Sequence, residues 1–129
     1  MSLNGAMRAS ARGLTAERMR MDLISVNLAN ANSMRTPFAE AYQARVAVLS
    51  ASQDGPKIER IELDRSDFRR VNDPGNPMAD GEGFVTYTNV NPINQMVDMM
   101  SAQRSYEANI AAFNSAKTMN RSALSIGRV

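Results

Sequence analysis

Residues 92–126 read PINQMVDMMSAQRSYEANIAAFNSAKTMNRSALSI. Pro92 lacks an N–H and has a fixed φ, which suits a first helical turn, and Asn91 before it is a capping residue. No glycine and no second proline follows until Gly127. The stretch therefore predicts one helix, about 50 Å long at 1.5 Å per residue. At about 100° per residue, Met96, Met99, Gln103, Tyr106, Ile110, Phe113 and Leu124 form one stripe. The opposite side carries Ser101, Ser105, Ala108, Ala112, Ser115 and Met119. A helix that is apolar on one face and small on the other, with few charges before Ala116, suits burial on more than one side. One partner helix leaves it incompletely covered.

A second helix is expected at the other end of the chain, from Leu3 to about Asn32. Leu3, Met7, Leu14, Met21 and Leu28 fall on one stripe with Ser10 between them, and four of them recur at intervals of seven. Gly5 and Gly13 weaken this helix by about 1 kcal/mol each if they lie inside it. Its end is expected in the asparagine-rich run Asn27, Asn30, Asn32, ahead of Pro37, which disfavours helix in the residue before it.

Between the helices the pattern changes. Residues 41–49 alternate as a strand does, and Lys57–Leu63 is a second candidate, although Ile58 and Ile61 are out of phase. Ser52-Gln53-Asp54-Gly55-Pro56 between them is turn chemistry, so a hairpin is expected. From Asp67 onward Pro74, Gly75, Pro77, Gly81 and Gly83 break regular structure, until Phe84–Tyr87 offers a short strand. The fold class is thus mainly α with a small β-rich middle: residues 1–36 and 92–129 form long helices that pair as a coiled-coil-like core, and residues 37–91 form a short, irregular hairpin region.

Composition bounds the chemistry. The 129 residues hold no Cys and no His, so disulfides, thiolate nucleophiles and the usual zinc, haem and iron–sulfur ligands are excluded. Acid–base work would fall to carboxylates, Tyr, Lys57 or Lys117, in a chain without a glycine-rich phosphate loop. Only seven aromatic residues are present, none of them Trp, which favours thin helix seams over a thick core. Net charge is +2, with basic ends and an acidic middle: nine acids against six bases lie in residues 37–91. No basic-then-apolar leader opens the sequence, so no cleaved signal peptide is expected. No apolar run approaches the ~20 residues of a membrane span.

Asp73, Asp80 and Glu82 share a glycine-bearing loop, but their spacing does not match a calcium loop, and turn-forming acids are the simpler reading. Arg69 and Arg70 beside Phe68 could touch nucleic acid, yet thirteen arginines are nearly balanced by acids. Arg8, Arg12, Arg18 and Arg20 are spread around the first helix rather than kept to one face, which suits helix packing better than a membrane surface. A basic helical regulator that binds nucleic acid or membrane is the rival to a structural role, and a small carboxylate enzyme is a third reading.

Three motifs occur in order. Ser25-Val26-Asn27-Leu28-Ala29-Asn30-Ala31-Asn32-Ser33 closes the first helix and looks like the signature S-x-N-x-A-N-x-x-T, shifted at its end. The loop Asp73-Pro74-Gly75-Asn76-Pro77-Met78-Ala79-Asp80 leads through Gly83-Phe84-Val85 to Asn89-Val90-Asn91. Met96-Val97-Asp98-Met99-Met100-Ser101-Ala102 and Arg104-Ser105-Tyr106-Glu107-Ala108-Asn109 follow. Together they resemble the bacterial flagellar rod and hook proteins. Phe38-Ala39-Glu40-Ala41-Tyr42 stands where that family often has a Gly-Gly-Pro-Tyr-like stretch, Asn76 stands where a His is common, and the middle is short.

The resemblance implies a non-enzymatic, cofactor-free structural subunit of the basal-body rod, built on the family's D0 core and contributing to torque transmission and motility. Implied partners are further copies of itself, the rod proteins FlgB, FlgF and FlgG, FliE, and the flagellar type III export apparatus. Implied location is the proximal rod in the periplasmic space, reached without signal-peptide cleavage. Expected assembly and helix-packing residues are Leu3, Met7, Leu14, Met21, Leu28, Asn27, Asn30, Met96, Met99, Tyr106, Ile110, Ala112, Phe113 and Leu124.

Overall fold

A computed structural model describes residues 2–128. Helix α1 spans Leu3–Ala29 and helix α2 spans Pro92–Ile126. Ser2 caps α1 by accepting from the Gly5 N–H at 3.0 Å, and the Asn30 carboxamide closes its far end by donating to the Val26 carbonyl at 2.8 Å. Asn91 Oδ1 accepts from the N–H groups of Ile93 and Asn94, so capping by asparagine before Pro92 starts α2 where the sequence places it. Side-chain caps satisfy orphan donors and acceptors that would otherwise fray the ends.

The middle is two small antiparallel ladders. Strand β1 (Arg45–Ser50) pairs with β2 (Lys57–Leu63), and β3 (Arg69–Asn72) pairs with β4 (Phe84–Tyr87). The first pair carries a bulge: Val48 faces Arg60 while Leu49 faces Ile58, so Glu59 is the extra residue. That insertion absorbs the phase mismatch read in the sequence and returns Ile58 and Ile61 to one face of the hairpin. The expected strand over 41–49 begins only at Arg45. Upstream, side chains take the donors a ladder would use: Ser33 Oγ accepts from the Tyr42 N–H at 3.0 Å and Asn89 Oδ1 from the Ala44 N–H at 2.8 Å.

Strand β3 lies in a stretch read as loop. Its arginines make the pairing: the Arg69 guanidinium sits 4.8 Å from the Tyr87 ring centre and that of Arg70 4.7 Å from Phe84. Asp80 closes the loop that joins the two strands. Its Oδ1 accepts from the N–H groups of Glu82 and Phe84, both at 2.9 Å, and its Oδ2 takes an Arg70 contact at 3.0 Å. These bonds hold the Asp80 carboxyl below the usual carboxylate range, the Phe84 N–H contributing most.

The β1–β2 hairpin folds back onto α1. Gly55 at its tip has φ +108°, and a Cβ there would come within 2.8 Å of the Ala9 carbonyl oxygen, so the turn rests directly on helix backbone. Asp54 reaches Arg12 at 3.4 Å and Arg8 at 3.7 Å from the same turn. Further along, Pro56, Lys57 and Ile58 roof a cavity of about 290 Å³ over Arg12, Thr15, Ala16 and Met19. The buried apolar residues of the middle are few: Ala41, Ala44, Val85 and Val90.

Candidate functional site

The feature that organises the molecule is the antiparallel seam between α1 and α2. The helices come close together at Gly13, where a Cβ would lie 2.7 Å from the Asn109 Nδ2. Fourteen residues along α1, Asn27 meets Gln95, which is fourteen residues back along α2, so both contacts belong to one register. Buried positions on α1 are Ser10, Gly13, Ala16, Ile24 and Asn27, and on α2 Ala102 and Ala116. Small side chains let the helix backbones come close, with a narrow, dense seam instead of an interdigitated leucine core.

The covered face of α2 runs through Gln95, Met99, Ala102, Tyr106, Asn109, Phe113, Ala116 and Asn120, all buried or half-buried. The spacing alternates four and three, the coiled-coil interval. The stripe expected from the largest apolar residues straddles this line. Met99, Tyr106 and Phe113 lie on it; Met96, Gln103 and Ile110 are turned outward and exposed. The physical reason is steric: Gly13 meets Asn109, and the residues buried in the seam include Ser10 and Ala16 on α1 and Ala102 and Ala116 on α2, where side chains as bulky as Met96 and Ile110 would hold the helices apart. Leu124 is in phase with the seam but 65% exposed, because α1 begins opposite about residue 120 and α2 runs on alone. Ala112, with Ser101, Ala108, Ser115 and Met119, is exposed.

On α1, Leu3, Met7, Leu14, Met21 and Leu28 are half-buried along one flank of the seam, and Asn30 is a half-buried cap. Asn27 is different. It is 1% exposed and every hydrogen-bonding valence is filled. Nδ2 donates to the Arg45 carbonyl at 2.9 Å and to Gln95 Oε1 at 3.2 Å; Oδ1 accepts from the Tyr42 hydroxyl at 2.7 Å and the Arg45 N–H at 3.0 Å. Burial raises the Tyr42 pKa, against an opposing pull from Arg45, and keeps the phenol a neutral donor. One side chain thus ties α1 to α2, to the segment leading into the hairpin and to the hairpin itself.

A related clamp sits nearby. Asn89 Nδ2 donates to the carbonyls of Asp64 and Ser66, and Thr88 Oγ1 donates to the Tyr42 carbonyl at 2.6 Å. Residues that sequence reasoning missed are Gly13, Ala16, Gln95, Ala102, Asn109 and Ala116; the four on α2 carried a signal in their seven-residue spacing, hidden because all of them are polar or small. Among the described residues no cluster of three acids is placed to hold a metal ion, and Asp73, Asp80 and Glu82 serve loop closure. No helix among the described residues is long and apolar enough to cross a membrane.

Outward, α2 keeps a second apolar patch over its first turns: Ile93 is 72% exposed and Met100 60%, with Met96 and Val97 between them. It lies on the side of the helix away from Gln95, Met99 and Ala102. Phe38 is 98% exposed on a turn whose N–H groups, those of Phe38 and Ala39, bond to Thr36 Oγ1.

Comparison with known proteins finds relatives along nearly the whole chain. The family model described as "Flagellar basal body rod FlgEFG protein C-terminal" matches residues 82–126, which span β4 and α2. Relatives named "Flagellar basal-body rod protein FlgC" align over nearly the whole chain. That of Bacillus subtilis is 36% identical over 145 aligned positions, covering 95% of this chain and 97% of the relative. That of Borreliella burgdorferi is 35% identical, covering 98% of each. That of Escherichia coli O157:H7 is 34% identical, covering 99% of this chain and all of the relative.

Proposed function

This chain belongs to the family of flagellar basal-body rod proteins FlgC, a structural subunit of the rod, and from that premise we propose that it assembles into the proximal rod by packing its helix pair against neighbouring subunits. The nucleic-acid reading finds no support in these relatives. The observation that carries the proposal is the apolar patch of Ile93, Met96, Val97 and Met100, exposed on the face of α2 that the seam leaves uncovered. Ala108, Ala112 and Ser115 offer a small-residue face beside it, where another helix can approach closely. The unaccompanied end of α2 adds further exposed apolar side chains, Leu124 and Ile126.

Neighbours of matching architecture are further copies of this chain and the rod proteins FlgB, FlgF and FlgG, with FliE at the base. The protein carries no catalytic role in this reading and transmits torque through packed helices, which resist twist because close-packed seams deform little. Export proceeds through the flagellar type III apparatus to the periplasmic space with the first helix retained, since Ser10, Gly13 and Ala16 close the seam and cannot be spared.

Two substitutions test this in cells. Met100→Glu and Ala112→Glu should leave helicity of the purified chain and its secretion nearly unchanged while blocking rod growth, seen as loss of swimming and of complete basal bodies. Mass spectrometry of rod protein in wild-type basal bodies should place its N-terminus at or before Leu3. Normal swimming with complete rods in both variants would show that these faces are solvated surface; a mature chain beginning beyond about residue 15 would refute retention of the first helix.

A further inference from the structure

One end of the helix pair is basic with almost no acid to answer it. The helices run antiparallel, so the first turns of α1 lie beside the last turns of α2. That end carries Arg8 and Arg12 on α1, Lys117 and Arg121 on α2 and Arg128 just beyond it, all exposed. No acid precedes Glu17 and none follows Glu107. Among the described residues, Asp54 on the hairpin turn is the one carboxylate ion-paired with any of these five, touching Arg12 and Arg8. The rest of the chain holds all thirteen acids and the ten remaining bases, so it is net negative. Two apolar side chains share the basic end: α2 outruns α1 there, leaving Leu124 and Ile126 exposed, with Leu124 in phase with the seam. Lys117, Arg121 and Leu124 recur at intervals of four and three and therefore share one helix face. A helix that lies on a membrane keeps basic and apolar residues on separate faces. This one mixes them, as a protein interface does.

We propose that this basic end docks on a further subunit of the same design, stacked end to end, with Lys117, Arg121 and Leu124 at the centre of the contact. The inference rests on the rod reading of the chain. Subunits aligned side by side in a rod bring their basic ends into one layer, where like charges repel. An adjoining layer that presents carboxylates relieves that repulsion and supplies attraction. A subunit of this design has its acid surplus away from the basic end, and at the start of α2 exposed Asp98 stands beside exposed Ile93, Met96, Val97 and Met100. Both halves of the contact therefore combine charge with apolar surface, and the charges are of opposite sign. The two surfaces differ, so the contact is heterologous and leaves one unsatisfied surface of each kind for the next layer. Leu124 then continues the seam against a helix of the adjoining subunit, in the track that α1 leaves open.

The experiment uses the assembled protein and exploits the lysines, of which the chain has only Lys57 and Lys117. A carbodiimide joins a lysine amine to a carboxylate it touches, with no spacer between them. In detergent-purified basal bodies it should shift this chain to a gel band heavier than the monomer, in which mass spectrometry finds Lys117 joined to an Asp or Glu of a second subunit. Lys117 linked only within the monomer band, or fully acetylated by a water-soluble reagent in intact basal bodies, overturns the proposal. Lys117 that is shielded in membrane-bound basal bodies and reactive once detergent strips the lipid assigns the face to lipid and overturns it too. In cells, Lys117→Glu combined with Arg121→Glu should be secreted at the wild-type level yet abolish swimming, whereas Lys117→Arg combined with Arg121→Lys should swim normally. Complete rods and normal swimming in the charge-reversed variant count against the docking face, and should that variant fail to be secreted, the cross-link in the unaltered chain decides. Absence of the chain from basal bodies refutes the rod reading itself; its presence there with an unshielded Lys117 refutes this inference alone.

Discussion

Gly13→Ala is the perturbation that reads the spacing of the two helices most directly. In an isolated helix it should stabilise by about 1 kcal/mol, since Ala has the better helix propensity. Here the new methyl would come 2.7 to 2.9 Å from three atoms of the Asn109 carboxamide. That side chain is half-buried and donates to the Ser105 carbonyl at 3.0 Å, so it cannot swing away freely. Moving it gives up a hydrogen bond worth about 1 kcal/mol, and overpacking adds roughly 1–3 kcal/mol. The opposing terms leave the variant about 1–3 kcal/mol less stable, a fall in Tm on the order of 4 °C per kcal/mol. Urea titration of the dilute chain, followed by circular dichroism at 222 nm, measures it. Adding Asn109→Ala removes the obstructing carboxamide, so the double variant should be more stable than Gly13→Ala alone by about 1 kcal/mol or more, a coupling that independent sites do not show. A rise in stability for Gly13→Ala by itself would refute the close approach of α1 and α2 at this point.

Two further predictions concern the middle. Gly55→Ala places a side chain at φ +108° and within 2.9 Å of Ala9 backbone atoms, so it should lift the hairpin tip from α1 and cost about 1–3 kcal/mol, read as faster amide exchange over residues 46–61 with α2 unaffected. Asp80 has a folded-state pKa below its ordinary 3.8, so its contribution to the β3–β4 loop is present above about pH 4 and lost as pH falls through the lowered value; the amide resonances of Glu82 and Phe84 should shift together in that acid range and remain unshifted there in Asp80→Asn.

How far such details could be read in advance depended on how local their causes are. The start of α2 was legible because Asn91 and Pro92 are its cap and first turn, and the hairpin because Asp54-Gly55-Pro56 is turn chemistry with φ > 0 at the glycine. Strand β3 was not, because what makes Arg69–Asn72 extended is a ladder to residues fifteen or so positions later, beneath two stacked aromatic rings. The phase of the seam escaped for another reason. Ranking α2 positions by apolar size selects Met96 and Ile110, whereas close approach of the helices puts Asn109 against Gly13 and buries Ala102 and Ala116. Asn27 was visible as a motif residue at a helix end, but its partners lie 15, 18 and 68 positions away.

The polar clamps also bear on how force passes through the subunit. Val85, Val90, Ala41 and Ala44 are too little apolar material to hold the middle by burial alone, and a two-stranded ladder is marginal by itself. Its shape is therefore held by directional bonds from Asn27, Ser33, Thr88 and Asn89 to backbone groups. Each is worth only about 1 kcal/mol net, yet each becomes expensive to break once its partner is buried. Load applied to the middle thus reaches the helices at two places: the Asn27 hub beside the start of α2 and the hairpin tip seated on Ala9. Two attachments fourteen or more residues apart on α1 resist rotation of the middle about the helix axis, which a single attachment would not. A subunit that must carry torque without yielding needs that second point, and Gly55 is the residue whose missing side chain lets it form.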